Sequence, residues 1–273
     1  MKRLGHYAGI IFIMFWGLAP FYWMLITALR DKRFTFDTTP WPTHVTLENY
    51  RDALATDAGN DFLGAIFNSL IISLATTALA VAVGVFTAYA LARLDFRGKG
   101  FITGIILAAS MFPGIALVTP LFQLFGDLGW IGTYRAMIIP NISFALPLTI
   151  YTLVSFFQQL PWELEEAARV DGASRGQAFR LILLPLAAPA IFTTAILAFI
   201  TTWNEFMLAR QLSSTATEPV TVAIARFSGP SAFEYPYAAI MAAGSLVTIP
   251  LIIMVLVFQR RIVSGLTAGG VKG

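Results

Sequence analysis

Glu163, Glu165, Glu166, Arg169, Asp171, Arg175 and Arg180 crowd one short polar stretch, and a strongly apolar run lies on either side. What these groups can do chemically is bounded by what the rest of the chain lacks. There is no Cys, hence no thiolate nucleophile, disulfide framework or thiolate metal site. The two histidines, His6 and His44, are far apart in sequence, and no metal-ligating cluster forms around either. Nor is there a G-x-x-x-x-G-K-[ST] segment to cradle a phosphate. Carboxylates and guanidinium groups without such company recognise other charges. The chemistry on offer is docking.

Local signals suggest how the stretch is built. Pro161 suits a helix start, and three Glu in the first turns complement the positive end of a helix dipole. Gly172 permits a turn or a close backbone approach. Ser174 can cap a second helix that begins Arg175–Gly176–Gln177 and runs towards Leu184, with Pro185 marking the next break. Composition leaves two readings of this helix–hinge–helix unit: a connector resting on lipid headgroups, or a rigid knob for a protein. Basic amphipathic helices favour anionic lipid. This one opens with Glu, which favours a protein.

The frame that must hold it is a membrane frame. The chain is 57% hydrophobic and 12% charged, with mean hydropathy +0.73, and a soluble domain carries about 25% charged residues. A net charge of +3 gives no reason to expect nucleic acid as a partner. Six apolar runs, at about 8–29, 67–91, 101–125, 137–157, 186–208 and 237–258, have lengths near the ~20 residues that cross a bilayer. The first is too long for a signal-peptide core and has no small-x-small site before Arg30, so it reads as a retained span. The expectation is an all-α integral membrane protein of six transmembrane helices in one domain, 1–273, with a loop at 158–185 and a tail at 259–273. Six spans put both termini on one side. That side holds Lys2, Arg3, Arg93, Arg97, Lys99, Arg169, Arg175, Arg180, Arg260, Arg261 and Lys272, the majority of the 18 basic residues. The positive-inside rule makes it cytoplasmic, in the cell's inner membrane. No internal repeat suggests inverted halves.

Polar groups inside apolar spans are candidates for a translocation pathway, since facing lipid is costly. Asn68, Ser69, Asn141, Ser143, Asn204 and Glu205 qualify. Each has a plainer reading: Ser and Asn also tie helices together, and Glu205 can sit at the outer interface. Pro113-Gly114, Pro140 and Pro147 are placed to kink or hinge their spans. A stand-alone secondary transporter or channel is the alternative function. It needs ion-coupling carboxylates within the spans, and only Glu205 lies near one. A membrane-embedded enzyme lacks any constellation of nucleophile, base or metal ligands.

Glu166-Ala167-Ala168, three residues, Gly172, nine residues, then Ile182-x-Leu184-Pro185 resembles the EAA signature of permease subunits in ATP-binding-cassette importers, matching every fixed position. The tail Gly265–Gly273 is similar to that of MalG-type subunits of maltose importers, and Trp203-Asn204-Glu205-Phe206 to a pattern common in carbohydrate-importer permeases. The resemblance covers essentially the full length, and the alanine-rich chain is similar to the SugB type of trehalose importers. It implies the type I importer permease (MetI-like) fold, with the 158–185 loop carrying a coupling helix. Glu166, Ala167, Ala168, Asp171, Gly172, Ile182, Leu184 and Pro185 would then form the surface that docks in a cleft of an ATPase, with Glu166 pairing a basic residue there. Gly269, Gly270 and Lys272 in the tail would reach the ATPase dimer interface. The implied partners are a second, MalF- or SugA-like permease, two copies of an ATP-binding subunit, an extracytoplasmic sugar-binding protein facing loops 30–61 and 210–235, and the lipid bilayer. The chain itself would be no enzyme and hold no cofactor, ATP and Mg being bound by the ATPase. It would form half of the pathway for a di- or oligosaccharide of the maltose/trehalose class, with the sugar held mainly by the partner permease.

Overall fold

The structure, a computed structural model, describes residues 2–55, 61–227 and 236–270, with side chains described for 5–55, 61–227 and 236–259. Among the described residues the chain is helical, its only β-like contact being an isolated bridge between Arg30 and Val45. Five helical stretches are long and apolar enough to cross a membrane: Gly5–Leu29, Phe62–Arg93, Tyr134–Gln159, Arg175–Trp203 and Tyr237–Gln259. A sixth span is present if the bent pair Lys99–Ser110 and Gly114–Asp127 counts as one. The chain divides into two compact units, Met1–Ile66 with Val220–Ile252, and Phe67–Pro219 with Ile253–Gly273.

The first unit is built on α1 (Lys2–Leu29), α2 (Glu48–Leu54), α11 (Val220–Ala225) and the opening of α12 (Tyr237–Gly270). Most of α1 is exposed apolar surface, as a lipid-facing helix requires, and burial begins only at its last turn with Ile26, Thr27 and Ala28. The carbonyls that a helix end leaves orphaned find a donor across the sequence. The fully buried Asn49 side chain donates to Ala28 O at 2.9 Å and to Arg30 O at 2.6 Å, which ties α2 to the end of α1. Lys32 adds an exposed ion pair to Asp52 at 2.6 Å, of the kind that contributes only about 0–1 kcal/mol. Against α12, a side chain at Gly244 would meet Met24 Sδ at 3.2 Å, so these two helices pass close together.

The second unit holds α3 (Phe62–Arg93) from Phe67 onwards, α4 (Lys99–Ser110), α5 (Val118–Asp127), α6 (Tyr134–Gln159), α7 (Glu163–Val170), α8 (Arg175–Ala178), α9 (Leu184–Trp203) and α10 (Met207–Leu212). Its core packs α3, α6, α9 and the turn leading into α9 through Val85, Ala88, Leu153, Phe157, Leu183 and Ala187. Small residues let these backbones approach, as is usual between membrane helices: a Cβ on Gly84 would lie 2.4 Å from Thr149 Cγ2. Thr149, Thr193, Thr194 and Thr202 each donate to the carbonyl four residues back, so their buried hydroxyls are satisfied within their own helix.

The prolines act unequally. Between α4 and α5 the axis turns by 89°. Pro113 there is extended (φ −68°, ψ 111°), has no N–H for a helix and disfavours the helical conformation in the residue before it. By contrast α6 continues through both Pro140 and Pro147. Pro185 does not end its helix either. The turn before it, Phe179–Leu183, widens to a π-helix in which Leu184 N–H reaches Phe179 O, and the helix then runs on to Trp203. A π turn is a known way to absorb an irregularity in a helix, often at functional sites.

Candidate functional site

Two sets of residues singled out by sequence come together in the second unit: the 163–185 segment and a buried polar cavity.

In the first, α7 exposes one face and buries the other. Glu166 and Ala167 are exposed, whereas Ala168 is 5% exposed. The chain leaves α7 through a turn in which Gly172 has φ +88°, a left-handed conformation that side-chain-bearing residues rarely adopt. A Cβ at Gly172 would meet nothing within 4 Å among the described residues, so their need for glycine here is conformational, not steric. Asp171 at the end of α7 is exposed. Ser174 caps α8 by accepting Gln177 N–H, and the Gln177 side chain accepts Ser174 N–H at 2.7 Å, a reciprocal capping box. Ile182 and Leu184 are half-buried beneath this turn, with Leu183 between them fully buried in the core, while Pro185 is exposed. The signature thus divides into an outward surface (Glu166, Ala167, Asp171, Gly172) and an inward support.

Three residues outside the signature anchor that surface. Glu165 is buried at 8% exposure, and the Tyr89 hydroxyl donates to its Oε1 at 3.2 Å. Tyr89, near the end of α3, also packs on Phe179 of the π turn with ring centroids 4.5 Å apart. Arg93, one turn further along α3, donates to Leu160 O, and its guanidinium lies 4.3 Å from the centroid of the Trp162 ring. Arg93 is therefore buried, although its sequence position reads as a surface charge. Arg93 is buried but Trp162 is half exposed, and a cation over such an aromatic face contributes about 0.5–2 kcal/mol. Sequence reasoning missed Tyr89 and the role of Arg93, because both belong to an apolar run distant in sequence from their partners. The one available signal was a Tyr and an Arg at i, i+4 closing a span.

The second set gathers around a cavity of ≈ 10 Å³ lined in part by Ser69, Ser73, Asn141, Thr202 and Glu205. That is about the room of one water. Ser69, Asn141 and Glu205 of the pathway candidates meet here; the other three do not line it. Asn68, the neighbour of Ser69, is a tie: its amide donates to Ala216 O and Glu218 O, and its carbonyl accepts the Tyr134 hydroxyl at 2.6 Å. Ser143 is exposed. Asn204 turns back to donate to Ile200 O at 2.8 Å, closing the end of α9. Glu205 opens α10, accepting Leu208 N–H at 2.8 Å and Ala209 N–H at 3.0 Å. Asn204 and Glu205 together build the break between two helices. In the tail, the helix α12 reaches Gly269 and Gly270, and Lys272 lies outside the described residues. Among the described residues no group of three or more His, Asp and Glu side chains is placed to hold a metal.

Comparison with known proteins adds an independent line. Residues 80–267 match the family model of binding-protein-dependent transport system inner membrane components. The chain is 48% identical to the trehalose transport system permease protein SugB of Mycobacterium tuberculosis, over 94% of this chain and 93% of that protein. It is 42% identical to the trehalose/maltose transport system permease protein MalG of Thermococcus litoralis, over 100% and 98%. Among solved structures, a bacterial ABC transporter involved in the import of the acidic polysaccharide alginate superposes with a TM-score of 0.77 at 22% identity, over 95% of this chain and 96% of that one. At that identity the likeness establishes a shared fold.

Proposed function

Since the chain belongs to the family of binding-protein-dependent transport system inner membrane components, we propose that it is one permease of an ATP-driven importer for a di- or oligosaccharide of the trehalose/maltose class. The observation that carries the mechanism is the divided 163–185 segment. Glu166 and Ala167 on a short helix, with Asp171 and Gly172 in the turn after it, face outwards, while buried Glu165 holds that helix to Tyr89, whose ring packs on Phe179 of the aromatic core. A knob held so firmly transmits a push. An ATPase subunit bound to the exposed face, carrying ATP and Mg, drives the knob as it closes, and α3, α6 and α9 move with it. Glu166 pairs with a basic group of the ATPase, Ala167 keeps the contact close, and Gly269, Gly270 and Lys272 extend the contact from the tail.

In this reading both termini and the 163–185 segment are cytoplasmic, and the chain spans the inner membrane six times as one permease domain. A second, homologous permease completes the pathway, two ATPase copies drive it, and an extracytoplasmic binding protein delivers the sugar. Ser69, Asn141 and Glu205 are proposed to border the pathway where their cavity lies, with Asn68, Ser143 and Asn204 supporting the helices around it. The similarity to permeases named for trehalose and maltose supports the sugar class.

The test is reconstitution. In proteoliposomes the full complex, supplied with binding protein and ATP, is expected to take up trehalose or maltose, and the chain alone is expected to move neither. Glu166→Lys should still insert but lose ATPase capture by about ten-fold or more, the scale of one charge-assisted contact. Uptake by the chain alone, or normal capture by Glu166→Lys, would refute the coupling scheme.

A further inference from the structure

The first unit contains a cavity of ≈ 250 Å³ that plays no part in coupling. It opens where α1 ends and α12 begins. Three aromatic residues bound it: Trp23 on α1, Phe36 in the following turn and Tyr237 at the start of α12. The Phe36 and Tyr237 rings meet edge to face, with centroids 5.3 Å apart and planes at 71°, so they form a corner rather than filling the space themselves. The polar lining consists of Thr27, Thr35 and Asp37.

This lining is built in advance. Arg30 is fully buried, sits 5.0 Å from the Trp23 ring centroid, and donates to the main-chain carbonyls of Asp37 and Thr39. The backbone of Asp37 is thereby set from behind. Its carboxylate accepts the Thr39 hydroxyl at 2.9 Å and the Thr39 N–H at 3.2 Å, bonds that hold it ionised below the usual carboxylate range. Two oxygens offer about four lone-pair sites, so acceptor capacity remains. Thr27 also lines the cavity and is only 5% exposed. Apolar rings with a few placed acceptors make a small-molecule site.

We infer that this cavity is a subsite for one neutral pyranose unit, with the C–H face of the sugar ring against Phe36 and Tyr237 and its hydroxyls donating to Asp37. Three features favour a sugar over a lipid chain. The walls combine flat aromatic faces and acceptors, with Met241 the one non-aromatic apolar side chain in the lining. The volume falls just below the ~300 Å³ at which sites for drug-sized ligands begin. An ionised carboxylate repels the phosphate of a phospholipid. The assignment rests on the sugar-importer reading, in which this end of α1 and α12 is extracytoplasmic, so the subsite meets sugar as it arrives.

The experiment uses the complete transporter in nanodiscs and a diazirine-bearing trehalose as probe, with labelled peptides mapped by mass spectrometry. Labelling within 23–41 or 237–241, competed by unlabelled trehalose, is expected. Asp37→Asn and Phe36→Ala should each weaken it by about ten-fold, the loss of one bond to a charged group or one aromatic face. Phe36 is largely exposed, so its truncation leaves the fold intact. Labelling confined to other segments, labelling unaffected by both substitutions, or labelling competed by phospholipid and not by trehalose would overturn the assignment. If the same preparation takes up trehalose with ATP while the subsite goes unlabelled, only the subsite fails. If it takes up no sugar, the transport reading itself fails.

Discussion

The Tyr89 hydroxyl donates to Glu165 Oε1 at 3.2 Å, joining the end of α3 to the first turn of α7 across 76 positions of sequence. Oε2 of the same carboxylate is buried with no other partner among the described residues, so this one bond carries much of the attachment. Removing the donor leaves a buried carboxylate unpaired, which costs about 1–3 kcal/mol. Tyr89→Phe is therefore expected to lower sugar moved per ATP by about five-fold in proteoliposomes, with ATPase capture intact. The double variant Tyr89→Phe/Glu165→Ala should be no worse than either single one, since coupled partners are not additive. Additive losses would mean that the two side chains act separately.

Gly172 separates two reasons for a glycine. Its φ of +88° suits Asn better than Ala, and among the described residues no neighbour within 4 Å obstructs a side chain. If only the turn mattered, Gly172→Asn would capture the ATPase normally. Docking against a partner backbone predicts that Gly172→Asn and Gly172→Ala both lose capture in a pull-down, while Gly172→Asn keeps the thermal stability of the parent. Normal capture by Gly172→Asn would reduce the role of this residue to shaping the turn.

The contact between α3 and α6 at Gly84 can be tested by relief of a clash. A Cβ there would sit 2.4 Å from Thr149 Cγ2 but 3.4 Å from Thr149 Cβ. Gly84→Ala should cost about 1–3 kcal/mol through overpacking, read as a lower thermal midpoint of the detergent-solubilised protein. Thr149→Ser removes the offending methyl while keeping a hydroxyl for the bond to Ala145 O at 2.8 Å. Gly84→Ala/Thr149→Ser should recover most of the loss. No recovery would show that the helices are held apart by something other than this methyl.

What the chain reveals before folding is whatever depends on near neighbours in sequence. Long apolar runs announce membrane helices because each residue crosses only 1.5 Å of hydrocarbon. The spacing from Glu166 to Pro185 is equally local, as are the left-handed turn at Gly172 and the cap at Ser174. The break at Pro113 follows from a ring that removes one N–H. The continuity of the helix past Pro185 does not, because whether a π turn absorbs the proline depends on how Phe179 and Leu183 pack against α3 and α6.

Tertiary structure alone decided which polar groups meet. Asn68 and Ser69 are adjacent in sequence, yet one ties a loop and the other lines a cavity with Asn141 and Glu205. Arg93 reads as a surface charge and is in fact buried over Trp162. Glu165 and Glu166 are neighbours of one type, and helix rotation sends the first inwards to Tyr89 and the second outwards. A helix places successive side chains about 100° apart, so sequence brings such residues to the same element. Only the packing of α3, α6 and α9 chooses which of them faces a partner.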